Sequence, residues 1–273
     1  MLTTLIIWLG RKRWLHRLIG SLRVFPLAEV YLRRFPLQRR LRGTSVVYRI
    51  TSLDQLSIEI EIFMRQSYAP ALDHHAVESF IDLGCNAGWF SLWLSTKTSP
   101  HLNGLLIDAH PRMVTEAAWH LRRNGLENCA VVHGAAGLSP GQKAVTFHLH
   151  PSSSASSVLA FEPLTQIPTK GAINDVIVPA VSIAEEWQTR LGDKVVDLLK
   201  LDIEGKELDF IVYEGDFLRD QVRTVVVEWH KWCVSLSQLD TEFESIGFRC
   251  DGVHNEGSLT GVAVYSNPRL LLA

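Results

Sequence analysis

The chain has 273 residues, of which 47% are hydrophobic and 21% are charged. This is an ordinary composition for a globular protein, with enough apolar material for a sizeable core, and the length suits one large domain with a modest extension. The four cysteines form neither a C-x-x-C pair nor a pattern with histidine, which excludes the usual zinc motifs and favours free, structural thiols in a reducing cytoplasm.

The positive charge is concentrated near the N-terminus. Residues 1–43 contain ten Arg and Lys against one acid, Glu29, so this arm carries about +9 and the remainder about −11. Its opening apolar run is too short for a bilayer, and the charges follow it instead of preceding it, so neither a spanning helix nor a signal peptide is predicted. Between Trp8 and Arg23 the pattern predicts a basic amphipathic helix. We expect it to bind an anionic membrane surface or to pack on the domain, with nucleic acid as the remaining alternative.

These patterns divide the chain into three parts. The basic arm covers residues 1–43, a helical lead-in covers 44–78, and the main domain covers 79–267. The lead-in contains LDQLSIEIEIFMRQSY, whose apolar spacing predicts a helix despite some local alternation.

The main domain opens with FIDLGCNAGWFSLWL, which predicts a buried strand, a glycine turn and a helix. Gly84 and Gly88 allow a sharp bend and the close approach of a ligand. Asn86 stands where the dinucleotide fingerprint requires its second glycine, so pyrophosphate binding is disfavoured. Asp82, at the carboxyl end of the strand, suits a ligand that carries an ammonium and a sulfonium, such as S-adenosylmethionine. The alternative is a tight turn with a structural aspartate.

Two further strand ends support a nucleoside ligand. Asp108 ends the next predicted strand, about 20 residues after the glycine turn, where an acidic residue takes ribose hydroxyls in doubly wound folds. It could equally cap the helix that begins at Pro111. A third strand ends at Ala135 and Ala136, whose small side chains leave room for an adenine ring or simply pack closely.

A second group of polar residues follows later strands. The segment VVDLLKLDIEGKELDFI predicts a strand that delivers Asp202 and Glu204 to the carboxyl edge of the sheet. A later strand ends in Glu228 and His230 at the same edge, where ligands bind in open α/β sheets. The predicted catalytic and binding residues therefore lie at one edge of the sheet.

Less specific interpretations of this region are also open. Glu204 and Glu207 could be exposed charges at a helix start, and Lys200 could be a solvated or ion-paired strand end. The serine-rich loop at residues 151–157 could be a mobile lid or a solvated linker.

The motifs FIDLGCNAGWFS, IDAHP, GAAG, SSSASS, LLKLDIEGKELDFI and VVVEWH together resemble the FkbM family of S-adenosylmethionine-dependent methyltransferases, from about residue 80 to 230. The D-I-E-G-x-E segment is their most specific part. The family usually has Glu-Pro at the second strand end, whereas this chain has Asp108-Ala109. The aspartate keeps the carboxylate but shortens its reach toward a ribose.

The resemblance implies a Rossmann-like, seven-stranded, mostly parallel sheet with helices on both faces and O-methyl transfer to a hydroxyl of a sugar, polysaccharide or secondary metabolite. Because an aliphatic hydroxyl is a weak nucleophile, a base should lie near it, and we expect Asp202 in this role with Glu204 and His230 as alternates. A magnesium site formed by Asp202, Glu204 and Glu228 is an alternative, and no metal ligand is assigned. The residues expected to bind S-adenosylmethionine are Asp82, Gly84, Asn86, Gly88, Asp108, Ala135 and Ala136.

Two other functions compete with this prediction. A nucleic-acid methyltransferase could use the basic arm, but the body is acidic and the N/D-P-P-[YF] tetrapeptide of enzymes that methylate exocyclic amines is absent, so no nucleic-acid partner is expected. A non-catalytic membrane-associated module is the other alternative. We expect a cytoplasmic protein, or one held peripherally at the inner face of the membrane by residues 1–43.

Overall fold

The computed structural model describes residues 24–73, 75–98, 101–150, 156–159 and 174–271. The chain divides into two compact units, residues 1–58 and 59–273. The amphipathic helix predicted between Trp8 and Arg23 and most of the serine-rich loop lie outside the described residues. Among the helices that are described, none is both long and apolar enough to cross a bilayer.

The elements of the first unit are α1 (Val24–Arg34), β1 (Leu37–Arg40) and β2 (Val47–Ile50). The two strands pair antiparallel, with Leu37 opposite Ile50, across the boundary predicted at residue 43. Glu29 of α1 accepts a hydrogen bond from the backbone amide of Leu53 at 2.9 Å, which ties the helix to the segment after the hairpin.

The strands of the second unit are β3 (Ser79–Leu83), β4 (Asn103–Asp108), β5 (Cys129–His133), β6 (Ala144–Leu149), β7 (Asn174–Pro179), β8 (Val196–Leu201), β9 (Val222–His230), β10 (Arg249–His254) and β11 (Thr260–Ser266). Seven of them form one sheet in the order β10-β11-β9-β8-β3-β4-β5, while β6 and β7 pair with each other. Within the seven-stranded sheet, β11 runs antiparallel to both neighbours and the other pairs are parallel. The predicted seven-stranded, mostly parallel sheet is confirmed.

The remaining helices are α2 (Asp54–Glu59), α3 (Trp89–Leu94), α4 (Pro111–Arg123), α5 (Ile183–Leu191), α6 (Glu207–Tyr213), α7 (Gly215–Gln221), α8 (Leu236–Ser245) and α9 (Pro268–Leu271). A π-helix (Ile60–Arg65) continues α2, so the segment predicted to be helical from its apolar spacing is helical. A 3₁₀ turn (Ala69–Leu72) then leads toward β3.

The alternation of side chains along β3 explains why helices cover both faces of the sheet. Successive residues of a strand point to opposite faces. Phe80 packs edge-on against Phe90 of α3, with ring centroids 6.4 Å apart. Its neighbour Ile81 belongs to the main core cluster with Trp187 of α5 and Phe210 of α6. All five side chains are buried, so both faces of this central strand are closed to water.

The strand register brings the predicted site residues together. Leu83 of β3 lies beside Ile107 of β4 and Leu201 of β8, and Leu201 lies beside Val227 of β9. The residue that follows each of these positions is therefore at the same edge of the sheet. The four residues so aligned are Gly84, Asp108, Asp202 and Glu228.

Candidate active site

The glycine turn between β3 and α3 is a tightly curled segment. Gly84, Asn86 and Gly88 all have left-handed backbone conformations, with φ of +67°, +49° and +77°. A Cβ on Gly84 would lie 1.7 Å from the carbonyl oxygen of Asp202. The backbone of the neighbouring turn therefore lies against Gly84, so even a methyl group cannot be accommodated there without a shift of Asp202.

Asp108 orders the glycine turn from the end of β4. One carboxylate oxygen accepts a hydrogen bond from the amide of Asn86 and the other from the amide of His110, each at 2.7 Å. Burial raises the pKa of Asp108 to about 6, although both amides favour the charged form. The residue as a whole is still partly exposed.

Asp82 lies inside the protein. It has no exposed surface, and its carboxylate accepts a hydrogen bond from the Ser91 hydroxyl at 2.9 Å and pairs with the Lys200 ammonium at 3.4 Å. Burial raises the pKa of Asp82, while Lys200 and Ser91 oppose that rise. The carboxylate predicted to meet a cationic ligand is thus bonded to a cation of the protein itself.

Lys200 joins the two turns. Its ammonium lies 3.2 Å from the carboxylate of Asp202 and donates hydrogen bonds to the carbonyl oxygens of Leu83 at 3.3 Å and Gly84 at 3.1 Å. It also lies 5.7 Å from the centre of the Tyr68 ring, within the range of a cation–π contact. Burial opposes its charge, but Asp202 and Asp82 outweigh that effect and raise the pKa of Lys200. Lys200 is therefore buried and ion-paired, not solvated.

Ala135 and Ala136 follow β5 and are buried. The amide of Ala135 donates to the carbonyl oxygen of Pro179 at 2.9 Å, and its own carbonyl accepts from the amide of Val181 at 3.0 Å. These bonds fix the backbone of the small-residue segment at the carboxyl end of β5, next to β4.

The acidic turn between β8 and α6 contains an unusual pair of backbone conformations. Glu204 and Gly205 both have positive φ, +53° and +100°. For a glutamate this conformation is uncommon and costs about 1 to 3 kcal/mol, so the surrounding contacts must impose it. The Ser157 hydroxyl donates to the carbonyl oxygen of Glu204 at 2.7 Å, and Glu207 accepts from the amides of Ile203 at 3.2 Å and Gly205 at 3.0 Å. The interpretation of Glu207 as an exposed charge is wrong, because its carboxylate closes the turn and is fully buried.

His230 links the two glutamates of this turn. Its Nε2 lies 3.1 Å from the Glu204 carboxylate and its Nδ1 lies 3.0 Å from Glu207. Burial disfavours the imidazolium, but the hydrogen bonds and charges of Glu204 and Glu207 outweigh it and raise the pKa of His230 well above its usual value. Both ring nitrogens are occupied, so His230 holds Glu204 in place as a protonated partner.

Tyr68 and Glu61 belong to this site but were not predicted. The Tyr68 hydroxyl donates to Glu228 at 2.8 Å across 160 residues of sequence. Burial, together with the charges of Asp202 and Glu61, raises the pKa of Glu228 to about 8. Burial also raises the pKa of Glu61, and Asp202 adds to that rise. A tyrosine and a glutamate in a helical lead-in carry no motif, and only the fold brings them to the strand edge.

One group within the described residues has the geometry for a metal ion. It consists of Asp202, Glu204 and His230, whose ligand atoms lie within 4.8 Å of one another. The magnesium alternative proposed Glu228 in place of His230, but Glu228 is bonded to Tyr68. An imidazolium has no lone pair for a metal, so a cation would have to displace the proton that the two glutamates hold on His230. The contacts of His230 with Glu204 and Glu207 therefore favour an ion-pair network over a metal site.

The sheet order, the glycine turn after its first strand and the acidic residue at the end of its second define a Rossmann-like fold with a nucleoside site at the carboxyl edge of the sheet. Residues 82–250, more than half of the chain, match the family described as the Methyltransferase FkbM domain. The chain belongs to this family, as the sequence motifs indicated. S-adenosylmethionine is its cofactor and methyl transfer is its activity.

The chain is similar to several solved structures at low sequence identity. A SAM dependent methyltransferase from Aquifex aeolicus is 13% identical, covers 77% of this chain and 92% of its own, and has a TM-score of 0.43. M. jannaschii TYW2 in complex with AdoMet is 10% identical over 85% of this chain and 84% of its own, also with a TM-score of 0.43. M. capricolum TrmK in complex with S-adenosyl-homocysteine is 9% identical over 75% and 68%, with a TM-score of 0.43. No curated protein sequence matches the chain.

Proposed function

We propose that this methyltransferase methylates a hydroxyl group of a sugar, polysaccharide or secondary metabolite. The observation that carries the proposal is the position of Asp202, which packs directly against the glycine turn and is paired with Lys200 at 3.2 Å. About a fifth of the Asp202 side chain, 22%, is exposed, whereas Asp82 on the other side of Lys200 has no exposed surface. Asp202 is thus a fixed carboxylate that a ligand can reach.

The residues around the glycine turn fit the cofactor. We propose that Gly84, Asn86 and Gly88 shape its binding site and that Asp108 takes the ribose hydroxyls, because a partly exposed carboxylate can accept hydrogen bonds from both hydroxyls of a diol. Ala135 and Ala136 would lie beside the adenine, and Asp82 would act indirectly by fixing Lys200. When bound, S-adenosylmethionine supplies an activated methyl group on a sulfonium sulfur.

Asp202 is proposed as the base. It would accept the proton that the acceptor hydroxyl loses when its oxygen takes the methyl group, which S-adenosylmethionine would supply with S-adenosylhomocysteine as the leaving group. General-base assistance of this kind typically contributes about 10²- to 10⁴-fold. Lys200 contributes by holding the Asp202 carboxylate in one orientation beside the glycine turn, which would restrict the position of the acceptor hydroxyl.

Glu204 is proposed as a second hydrogen-bond acceptor for the substrate. A quarter of its side chain, 24%, is exposed. The ring of His230, which contacts Glu204 through one nitrogen and Glu207 through the other, fixes its orientation. Because both nitrogens of His230 are engaged by carboxylates, His230 is proposed to position Glu204 and not to contact the acceptor itself. A polyhydroxylated acceptor could then donate one hydroxyl to Asp202 and another to Glu204.

The decisive experiment compares Asp202→Asn with Asp209→Asn. Asp209 is a matched control because it also follows β8 but pairs with Lys206 at 2.6 Å with 41% of its side chain exposed. We expect the Asp202 variant to lose transfer by roughly 10²-fold or more while its calorimetric affinity for S-adenosylhomocysteine is unchanged. Asp209→Asn should leave both unchanged. Normal turnover by Asp202→Asn would remove Asp202 from the role of base.

The acceptor class is tested with a radiolabelled methyl donor and pools of glycans, small metabolites and nucleic acids. Label in a glycan or metabolite that survives mild alkali excludes a methyl ester, which would release methanol, and nuclear magnetic resonance of the product then shows whether the methyl is on oxygen, as we expect, or on nitrogen or carbon. Label in nucleic acid would instead support the alternative function. S-adenosylhomocysteine binding without transfer to any pool would favour a non-catalytic module.

We also propose a cytoplasmic location. Cys85, Cys129, Cys233 and Cys250 are all free, and free thiols persist in a reducing compartment. Fractionation of cells that express the full chain checks this proposal: recovery in the cytosol or on the inner face of the membrane supports it, and recovery in a secreted fraction contradicts it.

A further inference from the structure

Helix α1 presents large apolar side chains to water. Leu27, Val30 and Tyr31 are 68%, 67% and 62% exposed, and their spacing places them on one side of the helix. Phe35 continues this side, because its amide bonds to the Tyr31 carbonyl at 2.7 Å and its side chain is 59% exposed. These four residues are called the α1 apolar face below.

The opposite side of α1 faces the rest of its unit. Glu29 accepts the hydrogen bond from Leu53, and Ala28 and Leu32 are half-buried. A surface helix normally turns its apolar stripe inward and its charges to water. Here the side that carries Glu29 faces inward, and the most apolar side faces outward. A contiguous apolar patch of this kind on a surface marks an interaction site.

Exposed arginines lie close to the α1 apolar face in the sequence. Arg34 ends the helix, and Arg40 and Arg42 lie at the end of β1 and in the loop that follows it; all three are exposed. Leu37, between these positions, is itself 41% exposed. The described part of the basic arm therefore exposes both large apolar and cationic side chains to water.

We propose that the α1 apolar face and these arginines bind the surface of an anionic lipid bilayer. Leucine and valine side chains insert among acyl chains, tyrosine favours the interface, and arginines attract anionic headgroups. A nucleic acid would satisfy the arginines but not the aliphatic side chains. A second copy of the chain would satisfy the apolar face but would bring arginines of like charge together. This inference is independent of the acceptor and of the proposed base.

The test measures binding of the full chain to phosphatidylcholine vesicles with and without phosphatidylglycerol by co-sedimentation. The variant Leu27→Ser/Val30→Ser/Tyr31→Ser removes most of the apolar face, and Ile177→Ser/Leu259→Ser is its control, because Ile177 and Leu259 are 72% and 66% exposed on the other unit. We expect binding that requires the anionic lipid and that falls at least ten-fold in the α1 variant but not in the control. Replacing Arg34 and Arg40 by glutamine should weaken it roughly five-fold each.

Other outcomes would overturn the proposal. Equal binding of the parent and the α1 variant would mean that α1 is not the contact. Equal binding to neutral and anionic vesicles, or no binding to either, would remove the electrostatic attraction on which the proposal depends. A parent that is dimeric in light scattering, with a monomeric α1 variant, would assign the face to a second copy of the chain. Binding of S-adenosylhomocysteine by every variant verifies that the main domain is folded.

Discussion

The glycine turn and the acidic turn occupy neighbouring positions in the sheet but are built by opposite means. Each follows a parallel strand, and each contains residues with left-handed backbone. In the glycine turn the essential property is the missing side chain of Gly84, which lets two backbones touch. In the acidic turn the backbone is forced by side chains, since buried Glu207 accepts from two amides of the turn and from His230. The conformation of the glycine turn depends on the absence of a side chain at Gly84, and that of the acidic turn depends on the hydrogen-bonded carboxylate of Glu207.

Lys200 makes the two turns interdependent. Its ammonium bonds to carbonyl oxygens of the glycine turn and pairs with Asp202 at the start of the acidic turn. A substitution in either turn should therefore alter the conformation of the other through Lys200. Substitutions at the two turns can separate the contribution of backbone contact from that of buried charge to stability and activity.

The largest expected effect is that of Gly84→Ala. The new Cβ would collide with the Asp202 carbonyl at 1.7 Å, and the positive φ adds about 1 kcal/mol of strain. We expect the main domain to unfold or to lose several kcal/mol of stability in thermal denaturation. Gly125→Ala is the matched control, because Gly125 has nearly the same φ, +69°, with nothing within 4 Å of the added Cβ. Similar melting temperatures for the two variants would contradict the contact between the turns.

The next largest effect is expected for Lys200→Met. Removal of the ammonium leaves Asp82 fully buried without its cation, and breaking a buried ion pair typically costs about 3 to 5 kcal/mol. Denaturant titration should show this loss. Asp202 also loses its partner, so the transfer rate should fall more than the affinity for S-adenosylhomocysteine.

The double variant Lys200→Met/Asp82→Asn separates these contributions. If the cost arises from an uncompensated charge on Asp82, the second substitution should restore a large part of the stability, which a double-mutant cycle measures. The transfer rate should stay low, because Asp202 still lacks its partner. Additive losses of stability would show that Lys200 acts by packing alone.

Glu228→Gln should change how stability depends on pH. The pKa of Glu228 is raised from 4.5 to about 8 in the folded state, so between these values the folded chain holds a proton that the unfolded chain has lost. The contribution of this residue to the free energy of unfolding is therefore greatest below pH 4.5 and declines as the pH rises to about 8. At about 1.4 kcal/mol per pKa unit, the total decline is a few kcal/mol. Glutamine can still accept from Tyr68, so the variant should lose this decline. The exposed control Glu244→Gln should keep it.

The sequence predicted those parts of the site that follow directly from strands. Asp108, Asp202 and Glu204 stand at or just after the end of a strand, and parallel pairing forces such residues to one edge. His230, the last residue of β9, joins them for the same reason. The order of the seven strands completes the alignment, because it places β8 between β3 and β9.

The sequence alone could not predict the contacts that depend on tertiary packing. Tyr68 meets Glu228 across the fold, and the burial of Glu207 depends on where α6 packs. Periodicity cannot distinguish a buried carboxylate that closes a turn from a solvated one at a helix start, since both stand in the first turn after a glycine. At Gly84 the sequence predicts the close approach of a ligand, whereas the contact that the structure shows there is with the Asp202 backbone.

The smallest effect concerns the ribose contact proposed for Asp108. Because burial raises the pKa of Asp108 to about 6, its carboxylate should be protonated at pH 5, where it is a poorer acceptor for hydroxyls and for the Asn86 amide. We expect calorimetric affinity for S-adenosylhomocysteine to fall about ten-fold from pH 7.5 to pH 5, following the loss of the charged form. Asp108→Asn should bind more weakly at pH 7.5 and show almost no change over this range. If that variant keeps the pH dependence of the parent, the titrating group lies elsewhere and the contact of Asp108 with the ribose is contradicted. If it loses the dependence, the glycine turn, like the acidic turn, relies on a charge, supplied by Asp108 through the Asn86 amide.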